Sequence, residues 1–245
     1  MCGINCLSIS ETMTRKPLFI TAHDMVYNSF VGQRGNDSYG FSFVTNGEIK
    51  TFTDLGAPDM TTILSKAKYV DTQTIIGHVR NATHGSVTYR NAHPIPNETG
   101  EFVLIHNGVI YCKQEYQLRR THNFIGQTDS EIMVHLFEEK WNGKTDPDSL
   151  LFAISKVFSE ITGYANLILL FEDNTILAVC DGTLSSQTGK NFVRLSSIPT
   201  DTGHWEKLKT GDALVIRNGE ILATSTVETH KTRNAFGKLV KVLAK

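Results

Sequence analysis

Apolar positions along this chain fall into short runs broken by turn residues, a pattern that predicts strands in most of its length. Such runs occupy 4–8, 40–45, 49–55, 74–79, 102–106, 165–171, 176–180 and 213–217. Asn46-Gly47 and Asn218-Gly219 each follow one of these runs, in the residue pair favoured by two-residue hairpins. Glu172-Asp173-Asn174-Thr175 is a third turn between apolar runs. Helical spacing appears in between. Over 129–141, Ile132, His135, Leu136 and Glu139 share one face, and Thr128 with Glu131 reads as a capping box. Over 148–160 the stripe is Leu151, Ile154, Ser155 and Phe158. The end of the chain, 232–245, places Phe236, Leu239, Val240 and Leu243 on one face with Lys238, Lys241 and Lys245 outside it. Locally paired strands with grouped helices predict an α+β fold, and one domain over 1–245.

Composition narrows the function more than the fold. Hydrophobic residues make up 40% of the 245 positions, enough to bury a sizeable core. A net charge of −1 favours neither nucleic acid nor a membrane surface as partner. No apolar run approaches the roughly 18 residues of a membrane span, and the N-terminus lacks the basic and apolar segments of a signal peptide. A cytoplasmic location is therefore expected. Of the four cysteines, Cys2 and Cys6 lie close in sequence but no second close pair completes a zinc site. Neither a metal nor a cofactor is expected, and most of the nine scattered histidines read as structural.

Cys2 changes the picture. Removal of Met1 would make it the N-terminal residue, with a thiol and a free α-amine on the same residue. Their reference pKa values, about 8.5 and about 7.7–8.0, let the amine act as base for the thiol near neutral pH. Four polar segments, three of them containing glycine, accompany it: 34–40 (Arg34-Gly35-Asn36-Asp37), 77–85 with 91–94, His106-Asn107-Gly108 at the end of a strand, and 127–131 at the start of a helix.

With Met1-Cys2-Gly3-Ile4, these segments, in this order, resemble the glutaminase domain of the class II (N-terminal nucleophile) glutamine amidotransferases, most nearly the glutaminase half of the glutamine–fructose-6-phosphate aminotransferases. The likeness implies a four-layer αββα sandwich of N-terminal nucleophile hydrolase type. It implies that Cys2 attacks the side-chain amide of L-glutamine, forming a γ-glutamyl thioester that water hydrolyses to glutamate after ammonia leaves. Asn107 and Gly108 would form the oxyanion hole. Arg80 would take the α-carboxylate with its planar fork, helped by Thr83 and His84, and Asp129 the α-ammonium. Arg34 and Gly35 would pack against the terminal residue. His78 and His93 are expected to be structural.

The sequence also departs from the family pattern. Asn81 stands where an aromatic residue is usual, and Tyr111-Cys112 follow Asn107-Gly108 and two apolar residues where Glu-Asn is typical. The acceptor domain to which such glutaminases are usually joined is not evident, so an ammonia-accepting synthase is expected on another chain, with 232–245 as a docking element or a closing helix. Two alternatives stay open: an amidase for another amide or γ-glutamyl conjugate, and a catalytically silent glutamine-sensing module.

Overall fold

A computed structural model of the protein describes residues 2–31, 33, 35–66 and 70–231. The expected helix at 232–245, Met1 and Arg34 lie outside the described residues. In chain order the elements are β1 (Gly3–Thr14), α1 (Lys16–Phe30), β2 (Ser38–Thr45), β3 (Glu48–Leu55), α2 (Met60–Lys66), β4 (Asp71–Arg80), β5 (Ile95–Pro96) and β6 (Phe102–Cys112). Then come α3 (Glu115–Thr121), α4 (Asp129–Lys140), α5 (Pro147–Glu160), β7 (Ile161–Phe171), β8 (Ile176–Val179), β9 (Ser185–Gly189), β10 (Phe192–Ser196), β11 (Glu206–Lys207), β12 (Asp212–Arg217) and β13 (Glu220–Thr226).

Two antiparallel sheets result, ordered β11-β9-β10-β1-β4-β2-β3 and β13-β12-β8-β7-β6-β5. Strand alternation sends neighbouring side chains to opposite faces, and the apolar clusters sort accordingly. Leu7, Ile9, Phe41, Phe43 and Ile75 pack under Leu18, Ala22 and Met25 of α1 and Ile63 of α2. Ile4, Cys6, Ile76, Val103, Ile105, Ile168 and Leu170 fill the space between the sheets. Phe102, Leu104, Leu167, Leu169 and Phe171 pack beneath α4 and α5. Three apolar interfaces separate four layers, the αββα order.

Both Asn-Gly pairs form tight hairpins with positive φ at both residues, 53° and 73° at Asn46-Gly47 and 52° and 72° at Asn218-Gly219. Only residues tolerant of left-handed backbone suit that turn. Asn174, at φ 67°, turns β7 into β8.

Several expectations need correction. Half of the capping box forms: Thr128 accepts from the Glu131 N–H, but the Glu131 carboxylate accepts from Ile125 N (2.6 Å) and Gly126 N (2.8 Å). The preceding loop exposes donors that compete for it. On α5 the buried stripe is Leu150, Ala153, Ile154, Val157 and Phe158, leaving Ser155 outside. Helix α1 went unassigned because its buried face includes Thr21, Asp24, Asn28 and Ser29 beside Leu18 and Met25. The strand expected to stop at His106 continues to Cys112, laddered against β7.

Candidate active site

Cys2 immediately precedes β1, whose first pair with β4 is Gly3 and Val79. Its thiol therefore comes to the end of β4: Asn81 N–H donates to Sγ at 3.3 Å, and Sγ lies 3.5 Å from Asn81 O. Burial pushes the thiol's pKa up, against the Asn81 N–H and the Arg80 charge, which favour thiolate. At neutral pH the group is a thiol that needs a base.

A small cavity of about 20 Å³ collects Cys2, Arg80, Thr83, His84, Gly108 and Asp129. Six of the nine site residues expected from the sequence thus line one cavity, although they come from the residue before β1, from β4, β6 and α4, and from a loop. Asn107 lies one residue behind it. The space is about that of a single water.

Gly35 is held beside this cavity by close approach. Its φ is 130°, and a Cβ there would fall 2.3 Å from the Arg80 carbonyl oxygen. Ser29 fastens the turn by donating to the Gly35 carbonyl at 3.1 Å. Asp37 accepts from Ala82 N at 2.7 Å and donates its own N–H to Arg80 O. So the Gly35 segment supports the Arg80–Asn81 backbone that contacts Cys2.

Arg80 is 3% exposed, and burial draws its pKa down while Cys2, Asp37 and Asp129 favour the charged form. Its two terminal nitrogens donate to the carbonyls of His84 (2.7 Å), Gly85 (3.5 Å) and Ser86 (3.2 Å). The fork expected to meet a carboxylate is here turned onto its own loop. Asp129 opens α4, where the helix dipole favours a carboxylate, and its Oδ2 accepts from Ile110 N at 3.0 Å.

Asn107 and Gly108 sit inside β6, opposite Asn166 and Ala165 of β7. The pair is therefore strand, unlike the Asn-Gly turns at 46–47 and 218–219. A Cβ on Gly108 would fall 2.1 Å from the Tyr164 carbonyl oxygen, so the position admits only glycine without a backbone shift. The Asn107 Nδ2 is fully buried and meets no acceptor among the described residues. Such a donor normally finds a partner, and its exposure to a forming anion is what an oxyanion hole requires.

The peptide units on either side of Asn107 are pinned. His78 Nε2 lies 3.1 Å from His106 O, and Asn166 Nδ2 donates to Asn107 O at 3.2 Å. A planar trans peptide aims its N–H opposite to its C=O, so the second bond sets the direction of the Gly108 N–H. Asn166 is fixed in turn by accepting from Asp181 N and Thr183 N. His106 Nδ1 meets Ser130 Oγ at 3.0 Å, and the His78 and His93 rings stack 4.3 Å apart. Burial lowers the pKa of all three histidines, His78 to about 3, leaving them weak bases. Of these contributors Asn166 escaped the sequence reading. Its signal is a lone amide in the apolar run 165–171.

A family model for class II glutamine amidotransferases matches residues 19–191. The chain belongs to this family. As a class II glutamine amidotransferase it is an enzyme of N-terminal nucleophile type. It is 31% identical over 216 residues to glutamine–fructose-6-phosphate aminotransferase of Aquifex aeolicus, covering 84% of this chain and 34% of that protein. With the enzyme of the same name from Sulfurisphaera tokodaii it shares 26% over 255 residues, 99% of this chain and 40% of the relative. The chain thus spans about a third of the first and two fifths of the second.

Among solved structures, the glutamine phosphoribosylpyrophosphate amidotransferase of B. subtilis superposes with a TM-score of 0.67 at 21% identity, over 92% of this chain and 49% of that one. A glutamine aminotransferase class-II domain protein from Silicibacter pomeroyi gives 0.60 at 16% identity, over 92% of this chain and 99% of that one. These likenesses establish that this amidotransferase has the sandwich fold of the N-terminal nucleophile hydrolases. Among the described residues no helix is long and apolar enough to cross a membrane.

Proposed function

We propose that this domain hydrolyses the side-chain amide of L-glutamine and passes ammonia to an acceptor synthase. The gathering of Cys2, Gly108, Arg80 and Asp129 around one cavity carries this reading, because it joins a nucleophile to groups suited to an amino acid's two charges. With Met1 removed, the Cys2 α-amine takes the thiol proton as sulfur attacks the γ-carbonyl carbon. The buried histidines are too weakly basic to compete. Negative charge on the carbonyl oxygen is met by Asn107 Nδ2 and the Gly108 N–H. The amine returns its proton to the leaving nitrogen, the C–N bond breaks, and ammonia departs. Water then adds to the thioester, releasing glutamate and restoring the thiol.

Binding requires the cavity to widen. The α-carboxylate replaces the carbonyls of His84, Gly85 and Ser86 on Arg80, a charged bidentate pair in place of neutral acceptors. The loop bearing Thr83 and His84 opens as those bonds exchange.

Intact mass before and after exposure to 6-diazo-5-oxo-L-norleucine tests the proposal. A starting mass without Met1 and a single adduct, absent in Cys2→Ala, is expected. Processed, folded protein that neither labels nor releases ammonia from glutamine, alone or with a synthase partner, would sink it.

A further inference from the structure

A second constellation lies away from the Cys2 cavity. Glu98 in the β5–β6 loop, His122 after α3, and His135 and Glu138 on α4 bring one ligating atom each to within 4.8 Å of one another. The atoms alternate nitrogen and oxygen. His122 Nδ1 is 3.4 Å from Glu98 Oε1 and 3.9 Å from Glu138 Oε2, and His135 Nδ1 is 3.9 Å and 3.4 Å from the same two oxygens. These separations exceed the roughly 2.7–3.2 Å of a good N–H···O bond. The two shorter ones fall within, and the two longer ones about 0.3 Å beyond, the edge of about 3.3–3.6 Å of a tetrahedron with metal–ligand bonds of about 2.0–2.2 Å.

The surroundings match as well. Glu138 Oε1 accepts from Asn97 Nδ2 at 2.9 Å, and Glu98 Oε1 from Asn123 N at 2.8 Å, so both carboxylates are oriented. The far nitrogen of His122, Nε2, faces Glu139 Oε1 at 3.3 Å, the carboxylate–histidine arrangement that steadies a metal-bound imidazole. His135 is 3% exposed, and its Nε2 has no partner among the described residues. The two rings stack 4.7 Å apart, with Phe124 against His135. With both imidazoles neutral, as metal ligation requires, the two carboxylates carry a charge that a divalent cation would balance.

We propose that Glu98, His122, His135 and Glu138 form a structural site for one divalent transition ion, zinc by its donor set of two imidazoles and two carboxylates. The ligands come from three segments that no short spacing connects, which is why the sequence predicted no metal. The ion would tie the β5–β6 loop and the α3–α4 connection to α4, the helix whose first turn holds Asp129 and Ser130.

Zinc and cobalt titration of the full-length, metal-stripped protein tests this, in a Cys2→Ala background that removes the partly exposed thiol. One ion per chain is expected, with the intense visible absorption of tetrahedral Co²⁺. A Tm rise of about 5–10 °C is expected at free zinc about 100 times Kd. Glu139→Gln should weaken binding about 10–100-fold. His122→Gln with Glu98→Gln should abolish both signals, and these partly exposed positions spare the buried His135. Absence of binding to the folded parent, with the four residues acting only as an ion-pair network, would overturn the proposal. Binding that survives the double substitution would do the same.

Discussion

Asn107→Ala separates catalysis from folding. In the resting protein the Asn107 Nδ2 is buried without an acceptor, a state that costs roughly 1–3 kcal/mol. Alanine removes that donor together with some packing. The folded state should therefore be unchanged or up to about 2 kcal/mol more stable, a Tm shift of zero to about +8 °C at 2–4 °C per kcal/mol. Catalysis should move the other way. Loss of one oxyanion donor costs about 2.7–4 kcal/mol of transition-state stabilisation, or about 10²–10³ in kcat. KM should stay within about threefold, since charge builds on that oxygen only as sulfur adds. Glutamate release at varied glutamine, beside a thermal melt of the same preparation, reads both quantities. Asn107→Asp, which puts a carboxylate where the oxyanion forms, should be at least as slow. A kcat within tenfold of the parent would refute the oxyanion assignment. A fall in Tm matching the loss of activity would mean that Asn107 is structural.

Asn166→Leu should stay folded and lose about tenfold in kcat, because the peptide that carries the Gly108 N–H is no longer held; unchanged kcat would show that β6 sets that orientation alone. Gly35→Ala should cost about 2–4 kcal/mol by forcing the 2.3 Å contact with Arg80 O, read as a lower urea midpoint; a neutral result would mean that the turn relaxes freely. Stability should fall in mild acid. His78, His93 and His106 have folded pKa values below their unfolded value of about 6.5, so the unfolded chain binds more protons. Stability is complete above about pH 6.5 and declines as pH drops toward 3, by up to about 1.4 kcal/mol per unit for each histidine. Urea midpoints against pH, with a shallower slope in His78→Gln, check this.

Local chemistry in the sequence reached far in some places and stopped in others. The hairpins at Asn46-Gly47 and Asn218-Gly219 were legible because their turn needs positive φ at two successive residues, which few pairs tolerate. The αββα order came from likeness to the family, since single-strand patterns do not say which sheet a strand joins. Helix α1 was hidden by polar residues that the fold buries, among them Asp24, which pairs with Arg194 at 3.0 Å across 170 residues. Strands β9 to β11 are short and borrow their order from neighbours. Cys2, Arg80, Gly108 and Asp129 were recognisable by residue type and order, and the cavity brings them together. That the Arg80 fork turns onto its own loop, and that Asn166 holds Asn107, depends on cross-strand register, which sequence reasoning did not supply.

Register also explains where the site lies. Between the sheets, the inward series of β4 runs Ile76, His78, Arg80, and that of β6 runs Val103, Ile105, Asn107. On β7 it runs Leu170, Ile168, Asn166, and on β1 Cys6, Ile4, Cys2. Each series is apolar within the sandwich and changes to a polar or reactive side chain at the same end. Antiparallel pairing brings the four changes together, since β1 meets β4 at Gly3 and Val79 and β6 meets β7 at Asn107 and Asn166. The His78 contact with His106 O then joins the two sheets. A buried polar group tolerates such a place only with its bonds satisfied, and most of these are. Among the described residues the Asn107 Nδ2 is left over, as are His78 Nδ1, His106 Nε2 and both His93 ring nitrogens; the amide nitrogen can only donate, whereas a neutral imidazole nitrogen can be a bare acceptor. An apolar residue in its place would continue the core without that unpartnered donor, and this is the observation behind the proposed oxyanion role.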